Sequence, residues 1–135
     1  MDEQTRNRIL VVDDEQSLLI VMEQYLRRLG NEVVACRDGQ EAWEAFERDP
    51  ASFRLVVADM TLPEMSGSEL LSRMLTLNPD ISILICSGYP FDASTLPASH
   101  QHQIGFLQKP FTPRMLAESI AKLEAVRNGD AEPRV

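Results

Sequence analysis

The chain has 135 residues, the size of a single domain with no room for a second. Its apolar share of 44% is ordinary for a soluble protein, and no run approaches the ~20 apolar residues that cross a bilayer. The N-terminus resembles no secretory leader, so we expect a cytoplasmic location without membrane contact. The net charge of -8 comes without a cluster of basic residues, which argues against nucleic acid as a partner.

Five strand-like apolar runs follow one another along the chain, at residues 9–12, 33–36, 55–58, 81–86 and 106–107. Most of them are apolar at every position, which is typical of parallel strands with helices on both faces. Segments with helical periodicity separate these runs. The alternation of strand and helix predicts a doubly wound α/β fold with a five-stranded parallel sheet and five helices.

The first two predicted helices have clear ends. The first ends at Gly30, a residue that is typical of helix C-termini, and its inward stripe consists of Leu18, Met22, Tyr25 and Leu29. The second begins near Gly39 and stops near Asp49, because Pro50 follows.

The third and fifth predicted helices have clear end signals, whereas the fourth contains a residue that disfavours a helix. The third ends before Pro79, and the fifth begins with Thr112 as its cap. The fourth, across residues 91–103, contains Pro97 in its middle. A proline inside a helix costs ~3 kcal/mol, so we expect this fourth helix to be short or distorted.

Polar side chains stand where the predicted strands end. Asp13 and Asp14 follow the first strand, Asp59 the third, Ser87 the fourth and Lys109 the fifth. Ligands bind outside the carboxyl ends of parallel strands, so we expect these groups to meet at one edge of the sheet. Three carboxylates there would repel each other by ~4 kcal/mol per pair at about 4 Å. The ammonium of Lys109 and a bound Mg²⁺, which prefers carboxylate, water and phosphate oxygens, would relieve that repulsion.

The chain resembles the response-regulator receiver family of two-component signalling in four stretches, in order and in spacing: VVDDE, VVADMTLPEMSG, ILICSGYP and FLQKPF. The resemblance covers residues 8–127, with residues 1–7 as a lead-in and residues 128–135 as a flexible tail. It implies a flavodoxin-like receiver fold with strand order 2-1-3-4-5. The third stretch is similar to the terminal receivers of hybrid histidine kinases, and a stand-alone receiver is the other arrangement that the resemblance implies.

The resemblance also implies a role for each residue of the acidic edge. Asp59 is the expected phosphoacceptor, and Asp14 and Asp59 are expected to bind Mg²⁺ through their carboxylates. Asp13 is expected to hold a metal-bound water, and the backbone carbonyl of Thr61 to complete the protein ligands. Lys109 is expected to contact the phosphoryl group.

Further positions match residues that the family uses for its conformational change and for setting the lifetime of the acyl phosphate. Ser87 matches the switch hydroxyl, and Phe106 matches the aromatic that moves inward with it, with Phe where many relatives have Tyr. Thr61 and Tyr89 occupy positions that influence hydrolysis of the acyl phosphate. The implied domain catalyses its own phosphorylation and dephosphorylation without a separate substrate, and switches the face of the fourth helix, fifth strand and fifth helix.

A histidine kinase or a histidine phosphotransfer protein is the implied phosphodonor. Residues 18–22 are five consecutive apolar residues, more than one helix stripe can bury. A helical wheel puts Leu19 at the margin of the buried face and Ile20 on the solvent side. Because the first helix of the family packs on the helical phosphodonor, we expect Leu19 and Ile20 to form a docking surface. The face of the fourth helix, fifth strand and fifth helix is also a candidate contact for a homodimer.

Three other functions compete with this interpretation. A phosphatase of the haloacid dehalogenase type also uses a nucleophilic Asp with Mg²⁺, but it needs a second Asp where this chain has Thr61. A flavin-binding protein needs a loop that accepts an anion, whereas DDEQS is acidic. A pseudo-receiver that binds partners without being phosphorylated stays open, although the acidic cluster and Lys109 count against it.

Overall fold

The computed structural model describes residues 7–59, 67–88 and 102–127. Its strands are β1 (Arg8–Val12), β2 (Glu32–Cys36), β3 (Phe53–Asp59), β4 (Ser82–Ser87) and β5 (Ile104–Gln108). Its helices are α1 (Gln16–Arg28), α2 (Gly39–Arg48), α3 (Gly67–Leu77) and α4 (Pro113–Arg127). A short 3-10 turn at Pro50–Ser52 precedes β3.

The strands form one parallel sheet in the order β2-β1-β3-β4-β5, so the predicted strand order is confirmed. β5 begins at Ile104 rather than at Phe106, because Ile104 and Gly105 pair with Ile83 and Leu84 of β4. Glycine in a strand weakens the apolar signal from which strands are predicted. The sheet places β3 at its centre, with β1 on one side and β4 on the other.

Two apolar cores lie on opposite faces of this sheet. Successive strand residues point to opposite faces, so Leu10 and Val12 of β1 join one core, whereas Ile9 and Val11 join the other. The first core packs against α2 and α3, and the second packs against α1 and α4. Helices therefore cover both faces, and the predicted doubly wound architecture is confirmed.

The buried face of α1 differs from the predicted one. Leu19, Met22 and Leu26 are the buried residues of this helix, and Leu29 is exposed. The prediction failed because its inward stripe included Leu29, which lies beyond the last helical residue and therefore does not define the buried face of the helix. Leu19 is consequently a core residue with only 5% of its surface exposed, and its prediction as a docking residue is wrong.

Capping interactions fix the ends of the helices. Gly30 adopts a φ of 101° after α1, a conformation that favours glycine, and its N–H donates to the carbonyl of Arg27 at 2.9 Å. The side chain of Asp38 caps α2 by accepting the N–H of Glu41 at 2.8 Å. The predicted cap of the last helix is confirmed, because Thr112 Oγ1 accepts the N–H of Met115 at 3.1 Å.

A polar cluster anchors β3 at the end of the sheet where this strand begins. The guanidinium of Arg54 donates to Glu124 of α4 at 2.7 Å. The same group donates to the side-chain oxygens of Asn31 at 2.9 Å and Asn7 at 3.0 Å. The start of β3 is thereby tied to α4, to the loop after α1 and to the residue before β1.

Each core contains one cysteine. Cys36 of β2 faces the core under α2 and α3, and Cys86 of β4 faces the core under α1 and α4. Both thiols are free and buried. Burial raises the pKa of each to about 12, with nearby carboxylates adding to the effect.

The predicted fourth helix, at residues 91–103, falls outside the described residues except for its last two positions. Its predicted distortion at Pro97 therefore stays a prediction. None of the helices in the described ranges combines the length and the apolar composition that a membrane crossing requires.

The corrected face of α1 can be tested with a pair of neighbouring substitutions. We expect Leu19→Ala to lower the free energy of unfolding by about 2–5 kcal/mol, because it leaves a cavity in the core. Ile20→Ala is the matched control, and we expect it to change the free energy by less than about 0.5 kcal/mol, since Ile20 is 46% exposed. Urea unfolding measures both. Equal losses in the two variants would contradict the assigned face.

Candidate functional site

The polar residues predicted at the strand ends meet at the carboxyl edge of the sheet. Asp59 is the last residue of β3 and Ser87 the last of β4, whereas Asp13 directly follows β1. Backbone hydrogen bonds extend the pairing beyond the strands: the N–H of Asp13 donates to Cys36 at 3.1 Å, and that of Lys109 to Ser87 at 2.8 Å. The backbone alone therefore holds these side chains at one edge.

Lys109 lies between two buried carboxylates. Its Nζ is 3.0 Å from Asp13 Oδ2 and 3.2 Å from Asp59 Oδ2. The Asp59 contact is a hydrogen bond. Both carboxylates are buried, while the lysine side chain is 19% exposed. Little solvent screens these charges, so the interaction is stronger than an ion pair on the surface.

The two carboxylate oxygens of Asp13 have different surroundings. Oδ1 accepts the backbone N–H of Glu15 at 2.8 Å. Oδ2 is buried and lies 3.0 Å from Lys109 Nζ, and the described residues offer it no other hydrogen-bond donor. Burial raises the pKa of Asp13, and this effect outweighs the opposing effects of the Glu15 N–H and of Lys109.

The pKa of Lys109 is also raised, for a different reason. Burial by itself lowers the pKa of an ammonium. The contacts with Asp13 and Asp59 favour the charged form and outweigh that effect. Lys109 is consequently a fixed positive charge at neutral pH.

Asp13, Asp14 and Asp59 could together hold a metal ion. Each offers one carboxylate oxygen, and these oxygens all lie within 4.8 Å of one another. Asp14 is exposed and the other two are buried, so the cluster opens to solvent on one side. One lysine compensates only part of the charge of three carboxylates. An all-oxygen set with a surplus of negative charge fits Mg²⁺, and the buried Oδ2 of Asp13, which accepts no backbone N–H among the described residues, fits a metal-bound water.

Ser87 and Phe106 lie on the same face of the sheet. Ile85 pairs with Phe106 and Ser87 pairs with Gln108, which makes Phe106 a diagonal neighbour of Ser87. Ser87 is buried, whereas Phe106 is 40% exposed. The aromatic side chain is therefore partly exposed to solvent in this conformation.

An apolar surface lies beside the acidic edge, on α1. Ile20 and Val21 are both exposed, and the prediction for Ile20 agrees with this placement. A groove between α1 and α4 continues the surface, with a lining of Leu18, Val21, Met22, Phe111, Pro113 and Leu116. The sequence reasoning missed Val21, although it stands in the same apolar run as Ile20.

Two predicted residues lie outside the described part of the chain. Thr61, the expected carbonyl ligand, and Tyr89, the expected brake on hydrolysis, both belong to this group. Glu15, by contrast, was not predicted, and its Oε1 lies 3.9 Å from Lys109 Nζ. Its place directly after Asp13 and Asp14 was the available signal.

The family model described as the response regulator receiver domain matches residues 9–121. Chemotaxis protein CheY1 of Helicobacter pylori strain J99 is 32% identical over 122 residues, which are 88% of this chain and 95% of that protein. Sensor kinase CckA of Brucella abortus is 32% identical over 115 residues, 85% of this chain but only 12% of that protein.

Solved structures agree with these sequence matches. A CheY-like receiver domain protein from Methanospirillum hungatei has a TM-score of 0.78 and 30% identity, over 92% of this chain and 98% of that one. The receiver domain of the hybrid histidine kinase CckA has a TM-score of 0.73 and 28% identity, over 86% of this chain and 97% of that one.

The raised pKa of Asp13 makes stability depend on pH in metal-free protein. Because this pKa lies above 3.8, the fold favours the protonated carboxyl, and that contribution is lost as pH rises from 3.8 through the raised value. Asp13→Asn removes the titrating group. We therefore expect this variant, in EDTA, to gain stability relative to the wild type as pH rises from about 3.5 to 7. Thermal unfolding midpoints across this range measure the difference, and a difference independent of pH would contradict the assignment.

Proposed function

Because the chain belongs to the response regulator receiver domain family, we propose that Asp59 accepts a phosphoryl group from a phosphohistidine, with the help of Mg²⁺. The observation that supports this most directly is the position of Lys109, 3.2 Å from Asp59 and 3.0 Å from Asp13. A lysine held by two buried carboxylates is a preplaced donor for a third anion, the phosphoryl group. The proposed site is cytoplasmic, where a kinase would meet it.

The proposed metal site uses the acidic edge. Asp14 and Asp59 would bind Mg²⁺ through their carboxylates, and Asp13 would hold a metal-bound water. The carbonyl of Thr61, outside the described residues, would be the remaining protein ligand. When bound, Mg²⁺ neutralises charge on the phosphoryl oxygens. The charge surplus of the three carboxylates supports this assignment.

The proposed chemistry is an in-line displacement. The Asp59 carboxylate attacks the phosphorus of the phosphohistidine, an O–P bond forms, and the P–N bond to the imidazole breaks. Lys109 keeps its proton and stabilises negative charge on the phosphoryl oxygens. Water later hydrolyses the acyl phosphate and restores Asp59, at a rate that Thr61 and Tyr89 are proposed to tune.

The proposed response to phosphorylation passes through Ser87 to Phe106. A hydroxyl at the end of β4 can donate to a phosphoryl oxygen on the neighbouring strand β3. Phe106 is a diagonal neighbour on β5 and is 40% exposed, so an inward movement when Ser87 shifts would bury more of its surface. The face around β5 would then change its shape for a partner.

Phosphorylation of Asp59 can be tested with a small phosphodonor. We expect the wild-type protein to gain the mass of one phosphoryl group after incubation with acetyl phosphate and Mg²⁺. Asp59→Asn should gain none, because a side-chain amide is not a nucleophile at neutral pH. Wild type in EDTA should gain little, since the acidic cluster then lacks its cation. Intact mass spectrometry measures all three samples.

The contrary outcome has a definite meaning. A wild-type protein that forms no adduct with acetyl phosphate, phosphoramidate or a phosphorylated kinase would sink the proposal and make the pseudo-receiver the better description. An adduct of equal size in Asp59→Asn would place the phosphoryl group on another residue.

A histidine kinase or a histidine phosphotransfer protein is the proposed donor in the cell. Receiver domains exchange phosphoryl groups with such partners, and the apolar surface at Ile20 and Val21 lies beside the acidic edge. A helix of the donor that packed on this surface would bring its phosphohistidine to Asp59. The small apolar groove between α1 and α4 would extend this contact.

If a phosphodonor protein docks on α1, a substitution there should slow phosphoryl transfer from the protein but not from a small molecule. We expect Ile20→Asp to slow phosphoryl transfer from the phosphorylated kinase domain at least tenfold, because a charge then enters an apolar contact. Its rate with acetyl phosphate should stay unchanged. Leu29→Asp is the matched control, because Leu29 is exposed just beyond the other end of α1. A normal rate of transfer from the kinase to Ile20→Asp would refute docking at this position.

A further inference from the structure

Glu15 occupies a position where its residue type is unusual. It is the N-cap residue of α1, a place where Ser, Thr, Asp and Asn are preferred because their short side chains bond to the first turn. Within the described part of the chain, the side chain of Glu15 makes no capping hydrogen bond. Its Oε1 lies instead 3.9 Å from Nζ of Lys109. A residue that gives up a local stabilising role often serves the site beside it.

Glu15 is the exposed member of the carboxylates around Lys109. Among the described residues, three carboxylates form ion pairs with this ammonium, those of Asp13, Glu15 and Asp59. The carboxylates of Asp13 and Asp59 are buried, whereas the side chain of Glu15 is 61% exposed. Glu15 therefore lies on the solvent side of Lys109, the side from which a phosphodonor reaches the buried Asp59.

We propose that Glu15 is a specificity-determining residue that competes with the incoming phosphoryl group for Lys109 and disfavours donors in proportion to their negative charge. This inference rests on the proposed phosphorylation of Asp59. Phosphoryl oxygens must approach the same ammonium that Glu15 faces, so they meet its carboxylate at short range. The repulsion grows with the charge of the donor and falls with added salt, because Glu15 is exposed.

The substitution Glu15→Gln isolates this charge. It keeps the length of the side chain, and it keeps the backbone N–H that donates to Asp13 Oδ1 at 2.8 Å. Glu47→Gln is the matched control, because it makes the same change in net charge near the end of α2, at the opposite edge of the sheet. Glu47 is exposed, so both variants are expected to fold.

The experiment compares two small phosphodonors at saturating Mg²⁺. Acetyl phosphate is a dianion at neutral pH, and phosphoramidate is a monoanion. We expect Glu15→Gln to raise the rate of adduct formation with acetyl phosphate roughly three- to tenfold, with a clearly smaller gain for phosphoramidate. Added salt should shrink both gains. Glu47→Gln should match the wild type with both donors. Intact mass at timed intervals gives the rates.

The outcomes separate this inference from the proposed function. An adduct in the wild type together with no gain in Glu15→Gln, or with an equal gain for both donors, overturns the role of Glu15 alone. No adduct in the wild type with either donor overturns the phosphorylation of Asp59, and the role of Glu15 with it. A gain that follows donor charge and salt supports both.

Discussion

The contact of Lys109 with Asp13 and Asp59 is the interaction on which the rest of the site depends. These side chains come from the ends of β1, β3 and β5, strands that are not all neighbours in the sheet. Without a cation, two buried carboxylates would face each other at close range. The ammonium makes this arrangement stable, and burial limits the screening of its charge. Burial nevertheless raises the pKa of Asp13, and the contact with Lys109 offsets only part of that effect.

The sheet restricts the movement of the strand that carries Asp59. β3 is the central strand, with β1 paired on one side up to Ala58 and β4 paired on the other through Asp59. The start of the same strand is held by Arg54, through Glu124 of α4 and two asparagine side chains. Cores on both faces pack against β3 along its length. The nucleophile proposed at Asp59 is thus carried by the central strand of the sheet, which suits a group that must be preorganised.

Some of these features follow from the sequence and others do not. Continuous apolar runs followed by Asp, Ser or Lys predict strands with functional groups at their ends, because the ends of parallel strands share one edge. The face of α1 was predicted wrongly, since five consecutive apolar residues fit more than one wheel and only packing against the sheet decides between them. The start of β5 was predicted two residues too late, because Gly105 weakens the apolar signal from which strands are predicted. Glu15 was missed although it directly follows Asp13 and Asp14, because the sequence does not show that its side chain comes within 3.9 Å of Lys109 Nζ. Thr61 and Tyr89 stay predictions.

The two buried cysteines make the opening of each core measurable by chemical modification. Cys36 belongs to the core under α2 and α3, and Cys86 to the core under α1 and α4. A thiol with a pKa of about 12 holds almost no thiolate at neutral pH, so an alkylating reagent modifies it only when the surrounding structure opens. Each face of the sheet therefore carries its own internal reporter, and the order of alkylation would reveal which half of the domain loosens first.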